Sequence, residues 1–277
     1  MDPVRRTLLK AVGLLAPHAA WAGDAPVTEM QKPAVKPRHV LCFLGKDESL
    51  LHPPKDVVKT IEDFGFEIDR TYSQAKPDPH MPRSFSVCWD RVFPLAWSAA
   101  DEQAVVNHKS VLYVLSPRMD QQKTVPYSAA ALRIVEAMIK AGATAVKGES
   151  AGVAHGLERW RDLADQARKG ATTGQGLAVT LALAKACRLA FAKRPLGGER
   201  YNESVGYHLV GLPEVYVARS RGSDQDAVNL MEEIANEMAE RGLEATLKAR
   251  KLTLSHETQY REDDFKFNPY GIVRIEA

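Results

Sequence analysis

Two continuous apolar runs, Val40 to Leu44 and Val111 to Leu115, constrain this chain most. A strand with one face in water alternates apolar with polar residues, whereas a run that is apolar at every position belongs to a strand covered on both faces. Covering both faces takes helices, and the chain has the patterns for them. After Pro53 and Pro54, the residues Val57, Val58, Ile61 and Phe64 recur at helical spacing until Gly65. Ser128 to Lys140 turns Ile134, Val135, Met138 and Ile139 to one side and stops at Gly142. The clearest amphipathic helix starts at a Ser223 or Asp224 cap. It sets Ala227, Leu230, Met231, Ile234 and Met238 against Glu232, Glu233, Asn236, Glu237 and Glu240, and ends at Gly242.

Further helices are expected at Asp101 to His108, capped by Ser98 or Asp101, at Gly152 to Arg168, and at Gly174 to Lys193. The last has an almost continuous apolar surface, so it is expected to be buried on most sides. Strands are expected at Phe66 to Tyr72 and Glu214 to Ala218, and over Ser84 to Val92, where Phe85, Val87 and Trp89 alternate with smaller or polar residues. Leu243 to Leu254 reads as a strand, and short strands near Phe265 to Phe267 and Ile272 to Ile275 flank the turn Asn268-Pro269-Tyr270-Gly271. Strands and helices that alternate without an interior linker imply one α/β domain over residues 39–277, with a mixed central sheet flanked by helices.

The first 22 residues read as an export signal. Arg5 and Arg6 precede Leu8, Leu9 and Lys10, a modest apolar run follows, and Ala20-Trp21-Ala22 offers a small-x-small cleavage site. The pattern is that of a twin-arginine signal; the alternative is a general secretory signal with paired arginines. Either predicts a periplasmic bacterial protein, with residues 23–38 as a proline-containing linker. The apolar run is short and broken by Pro17 and His18, and no later stretch is long enough to span, so no membrane span is expected after cleavage. In an oxidising compartment Cys42 and Cys88, both read as strand residues, are able to pair, while Cys187 in its alanine-rich helix reads as a small core residue. A net charge of +2 with both signs interspersed gives no footprint for nucleic acid.

The stretch Ala143 to Trp160 holds most of the candidate functional residues. Gly148, Ser150 and Gly152 spell G-E-S-A-G, which on a strand-to-helix turn would expose a nucleophilic serine. In this reading Ser150 attacks, His256 takes its proton, and Asp224 or Asp226 orients the imidazole, in the chain order Ser, Asp, His. Two features oppose it: the loop after Leu44 reads G-K-D-E-S-L-L, with none of the usual H-G or H-G-G-G of an oxyanion hole, and Asp224 stands where a helix cap is wanted. Glu149, His155, His208 and Glu214 include zinc-ligand types, but their spacing matches no zinc motif and no metal is assigned. No phosphate loop or other cofactor motif is present, and the cofactor, if any, stays unknown.

Several stretches together resemble a bacterial family of uncharacterised domains known only as a domain of unknown function. They are the segment with Trp89, Asn107-His108-Lys109-Ser110-Val111, Ala145-Val146-Lys147-Gly148-Glu149, and Gly211-Leu212-Pro213-Glu214-Val215 with the helix after it. The resemblance runs from His39 to the C-terminus and carries no established activity. It implies that no serine elbow exists at the corner. The leading expectation is therefore a non-catalytic binding protein of the bacterial envelope, for another protein or a small ligand, with Lys147, Glu149, Ser150, His155, Trp160, His208 and Glu214 at or near its surface. A serine hydrolase is the alternative.

Overall fold

The computed structural model describes residues 35–90, 96–172, 176–256, 264 and 266–276. The expected export signal, residues 1–22, and most of the expected linker lie outside the described residues. The expected α/β architecture is present, with its strands divided between two sheets rather than gathered in one.

The first sheet holds β1 (Val40–Gly45), β2 (Glu67–Ile68), β3 (Ser110–Leu115), β4 (Ala143–Gly148) and β5 (Val153–His155), in the order β2-β3-β1-β4-β5. Every pairing in it is antiparallel. β1 is central, which is why its sequence lacks a polar face. Leu41 and Phe43 point to one side and join Leu112, Val114 and Val146 under three helices, α4 (Thr124–Lys140), α5 (Leu157–Thr172) and α6 (Leu177–Phe191). Cys42 and Leu44 point to the other side and meet Met81, Phe85 and Val105 of α2 (Met81–Cys88) and α3 (Ala99–Val106). Full burial of each such side chain contributes about 1.5–3 kcal/mol, so these two layers carry most of the stability of this half. Helix α1 (Lys55–Asp63) packs Val57 and Ile61 onto the first layer.

The second sheet holds β6 (Lys193–Gly197), β7 (Tyr201–Val205), β8 (Glu214–Ala218), β9 (Thr253–Ser255) and β10 (Ile272–Ile275), in the order β6-β7-β8-β10-β9. It is mixed, because β10 runs parallel to β8. Helix α7 (Asp224–Arg241) lays Met231, Ile234 and Met238 on Val215, Val217 and Val273. The expected cap at its start is a capping box between Ser223 and Asp226.

Several boundaries differ from the sequence expectation. Ser84 to Val92 is not a strand. Met81, Phe85 and Cys88 recur at intervals of four and three, Pro82 sits in the first turn, and the helix α2 results. Trp89 then makes a single parallel bridge to Ala154. Phe66 to Tyr72 shrinks to β2. Leu243 to Leu254 is mostly α8 (Leu243–Arg250), whose Leu243 and Leu247 lie one turn apart against the second core, before the short β9. The helix expected from Gly152 starts instead at Leu157, after β5. Phe265 lies outside the described residues, and no strand forms at 266–267. Helix α6 is buried in its second half but not in its first, where Leu177 is 59% exposed. Cys42 and Cys88 sit in one cluster without a disulfide, and burial pushes the Cys187 thiol up. Among the described residues, no helix is long and apolar enough to cross a membrane.

Candidate functional site

The corner is a hairpin. β4 turns through Glu149, Ser150, Ala151 and Gly152 into β5, which pairs back on β4 with Val146 opposite His155. Gly152 takes φ +61°, a backbone that favours glycine, and its N–H closes the turn on the Glu149 carbonyl at 3.2 Å. A nucleophile elbow needs a helix directly after the turn, and here a strand follows. The Ser150 hydroxyl donates to the Arg38 carbonyl at 2.7 Å and accepts from the Val40 amide at 2.9 Å. It thus fixes the incoming chain to the start of β1, and the neighbouring Glu149 amide adds a bond to the Val40 carbonyl at 2.8 Å.

The other two members of the serine reading lie in the second half. Asp224 opens α7 and accepts from Asn202 Nδ2 at 3.2 Å, Asp226 is engaged with Ser223, and His256 follows β9 at the surface. Among the described residues, no hydrogen bond joins any two of Ser150, Asp224 and His256.

Lys147 points to the α2 side of the first sheet and is 1% exposed. Its ammonium is 2.9 Å from Glu149 Oε1, contacts Ser84 Oγ, and lies 5.2 Å from the centre of the Phe85 ring. Tyr113 reaches the same carboxylate oxygen at 3.4 Å. Burial alone would lower the pKa of Lys147, but Glu149 outweighs it, helped by Cys88 and Cys42, and the pKa is raised. A serine beside a lysine can form a catalytic dyad only if the lysine is neutral. Glu149 keeps this one charged, so the Ser84–Lys147 pair holds α2 to the sheet. Sequence reasoning missed Ser84, because the pairing depends on α2 being a helix.

His155 is fully buried. Its Nε2 is 3.0 Å from the Ala190 carbonyl, Nδ1 faces Asp90 Oδ2 at 3.5 Å, and Trp160 meets the ring edge-on at 4.7 Å. Burial lowers its pKa to about 4 despite the opposing pull of Asp90. Trp160 donates its indole N–H to the Val146 carbonyl at 3.1 Å and is likewise interior.

His208 and Glu214 form a separate centre in the second half, each 2% exposed. Glu214 Oε1 accepts from the Gly206 amide at 2.9 Å and the His208 amide at 3.3 Å, and lies 3.0 Å from His208 Nδ1. Oε2 accepts from Ser204 Oγ at 2.6 Å, and Ser204 Oγ in turn accepts from the Val215 amide at 2.8 Å. This carboxylate organises the turn between β7 and β8. Near it, His39 Nε2 is 2.7 Å from Ser128 Oγ, which donates to the Leu209 carbonyl at 2.6 Å. The serine proton is therefore occupied and His39 must carry hydrogen on Nε2. Burial, then the nearby His208, lowers its pKa to about 3.

The structure thus joins Lys147 to Glu149 and His155 to Trp160 around one hairpin, places His208 with Glu214 elsewhere, and buries all of them except the partly exposed Glu149. None forms the open surface expected for them. Among the described residues, no three His, Cys, Asp or Glu side chains gather as a metal would require. Concave surface occurs instead between helices: a groove of about 310 Å³ between α4 and α5, edged by Glu136, Lys140, Arg161 and Asp165, and one of about 180 Å³ between α6 and α7. No protein-family model, curated protein or solved structure matches the chain.

Proposed function

We propose that this protein is an exported, non-catalytic binding protein of the bacterial envelope, and we keep its resemblance to a family of uncharacterised domains as part of that proposal. The observation that carries the reading is the Ser150 hydroxyl, held between the Arg38 carbonyl and the Val40 amide. A nucleophile needs a base on its proton, and this proton is on a carbonyl. The other candidate residues of the corner, Lys147, His155 and Trp160, are buried inside the fold, which leaves recognition to the outer surface, including the grooves between helices. The paired arginines at Arg5 and Arg6 support export by the twin-arginine route.

Treating the purified protein with a fluorophosphonate probe and weighing it tests the catalytic alternative. No adduct is expected. An adduct that disappears in Ser150→Ala would establish a serine hydrolase instead. For export, blocking the twin-arginine translocase should retain the uncut precursor in the cytoplasm, and continued processing would argue for the general secretory route.

A further inference from the structure

The groove between α6 and α7 has a floor built from charged groups. Arg188 on α6 is 1% exposed and donates through Nη2 to Glu232 Oε2 at 2.8 Å and to Asn236 Oδ1 at 2.7 Å. Arg194 Nε lies 2.9 Å from Glu232 Oε1, and Tyr207 donates to that same oxygen at 3.1 Å. Two guanidinium groups therefore share one carboxylate. Burial opposes the charge on Glu232, but Arg194 and Arg188 outweigh it and hold the carboxyl below its usual range. Lys185 and Glu240 stand exposed at the mouth, so the groups in and beneath the groove keep one positive charge in excess.

The hydrogen bonding also has a direction. Arginine only donates, so Asn236 must present Oδ1 to Arg188, which leaves its Nδ2 hydrogens for an acceptor. Asn236 lines the groove together with Lys185 and Arg188, and Leu181 and Ala182 supply an apolar wall. At about 180 Å³ the groove is smaller than the roughly 300–1,000 Å³ usual for drug-sized ligands. That suits an oxyanion on a short stem.

We propose that this groove binds a small oxyanion, a carboxylate or a phosphate, through Asn236 Nδ2 and the Lys185 ammonium above the Arg188 guanidinium. The proposal rests on the reading of the protein as a binder and gives that binder a ligand chemistry.

The test is an amide NMR titration of the full protein with inorganic phosphate and, separately, with acetate, at constant ionic strength. Saturable shifts confined to Leu181–Arg188 and Asn236–Glu240 are expected. Saturation by one anion alone also supports the site and identifies the source. Lys185→Gln, at an exposed position, should weaken binding about two- to fivefold. Asn236→Asp keeps the acceptor for Arg188 but faces the ligand with a carboxylate, and should abolish saturation. No saturable shift with either anion, or shifts that both variants leave unchanged, would overturn the site. A fluorophosphonate adduct on Ser150 would overturn the binder reading while leaving the groove measurement standing, so the two failures are distinguishable.

Discussion

Lys147 and Glu214 are both buried charged residues singled out by the sequence, yet the two halves of the molecule satisfy them differently. Glu214 takes its partners from nearby chain, Ser204, Gly206 and His208, and uses them to shape the turn between β7 and β8. Lys147 takes Ser84 and Phe85 from a helix far back in the chain, and its counter-ion Glu149 is 23% exposed. One centre is sealed and local, whereas the other bridges distant elements and opens to water on one side. A sealed carboxylate leaves several orphan donors when it is removed, whereas a pair at the rim can turn to solvent. Neither arrangement needs a substrate to explain it.

The comparison can be broken most sharply at Glu214. Glu214→Ala strands the Ser204 hydroxyl, two amides and the His208 ring, and should lower stability by at least about 4 kcal/mol in urea unfolding. A loss no larger than that of an ordinary surface substitution would mean that the centre is not sealed.

Acid should act through two histidines buried in the first half, His39 ahead of β1 and His155 on β5. His39, close to His208, and His155, close to Asp90, have folded pKa values of about 3 and about 4, both below the ordinary imidazole value of 6.5. The unfolded chain therefore binds protons that the folded chain refuses. Stability is full above pH 6.5 and falls as the pH drops toward 4, at up to about 1.4 kcal/mol per unit for each histidine. Below that only His39 continues to contribute. Unfolding midpoints measured across this range in His39→Asn and His155→Gln should each lose about half of the slope, and an unchanged slope in either variant would remove that histidine from the account.

A smaller effect is expected at the open centre. Glu149→Ala leaves the Lys147 ammonium buried without its carboxylate and should cost about 2 kcal/mol, less than for a sealed pair because water reaches the rim. Lys147→Met fills the same space with an apolar chain and should cost less than Glu149→Ala. The reverse order in thermal melts would show that the ammonium is needed for itself.

Much of the fold was legible because burial on two faces leaves a plain mark. The runs at β1 and β3, the helix α7 with its Ser223 cap and the Ser98 cap of α3 all lie where the sequence implied. The misreadings have physical causes. In Ser84 to Val92 the apolar spacing fits a strand period as well as a helical one, and Pro82 was the neglected signal for a helix start. At Leu243 a helix of only two turns offers too few residues to show its period. The split into two sheets depends on strand pairing, which local pattern does not encode. The partners of the candidate residues were not legible in the sequence. Ser150 lies 112 residues from Arg38, and Lys147 lies 63 from Ser84. G-E-S-A-G looks the same before a strand as before a helix.

Whether the corner serine is a backbone tie is tested most directly by amide hydrogen exchange at Val40 in Ser150→Ala. Loss of the bond from the Val40 amide should speed exchange at that amide about tenfold, the equivalent of roughly 1.4 kcal/mol, while Leu41 to Leu44 keep their protection. Val40 exchanging at the wild-type rate in the variant would contradict the account and return Ser150 to the list of possible nucleophiles.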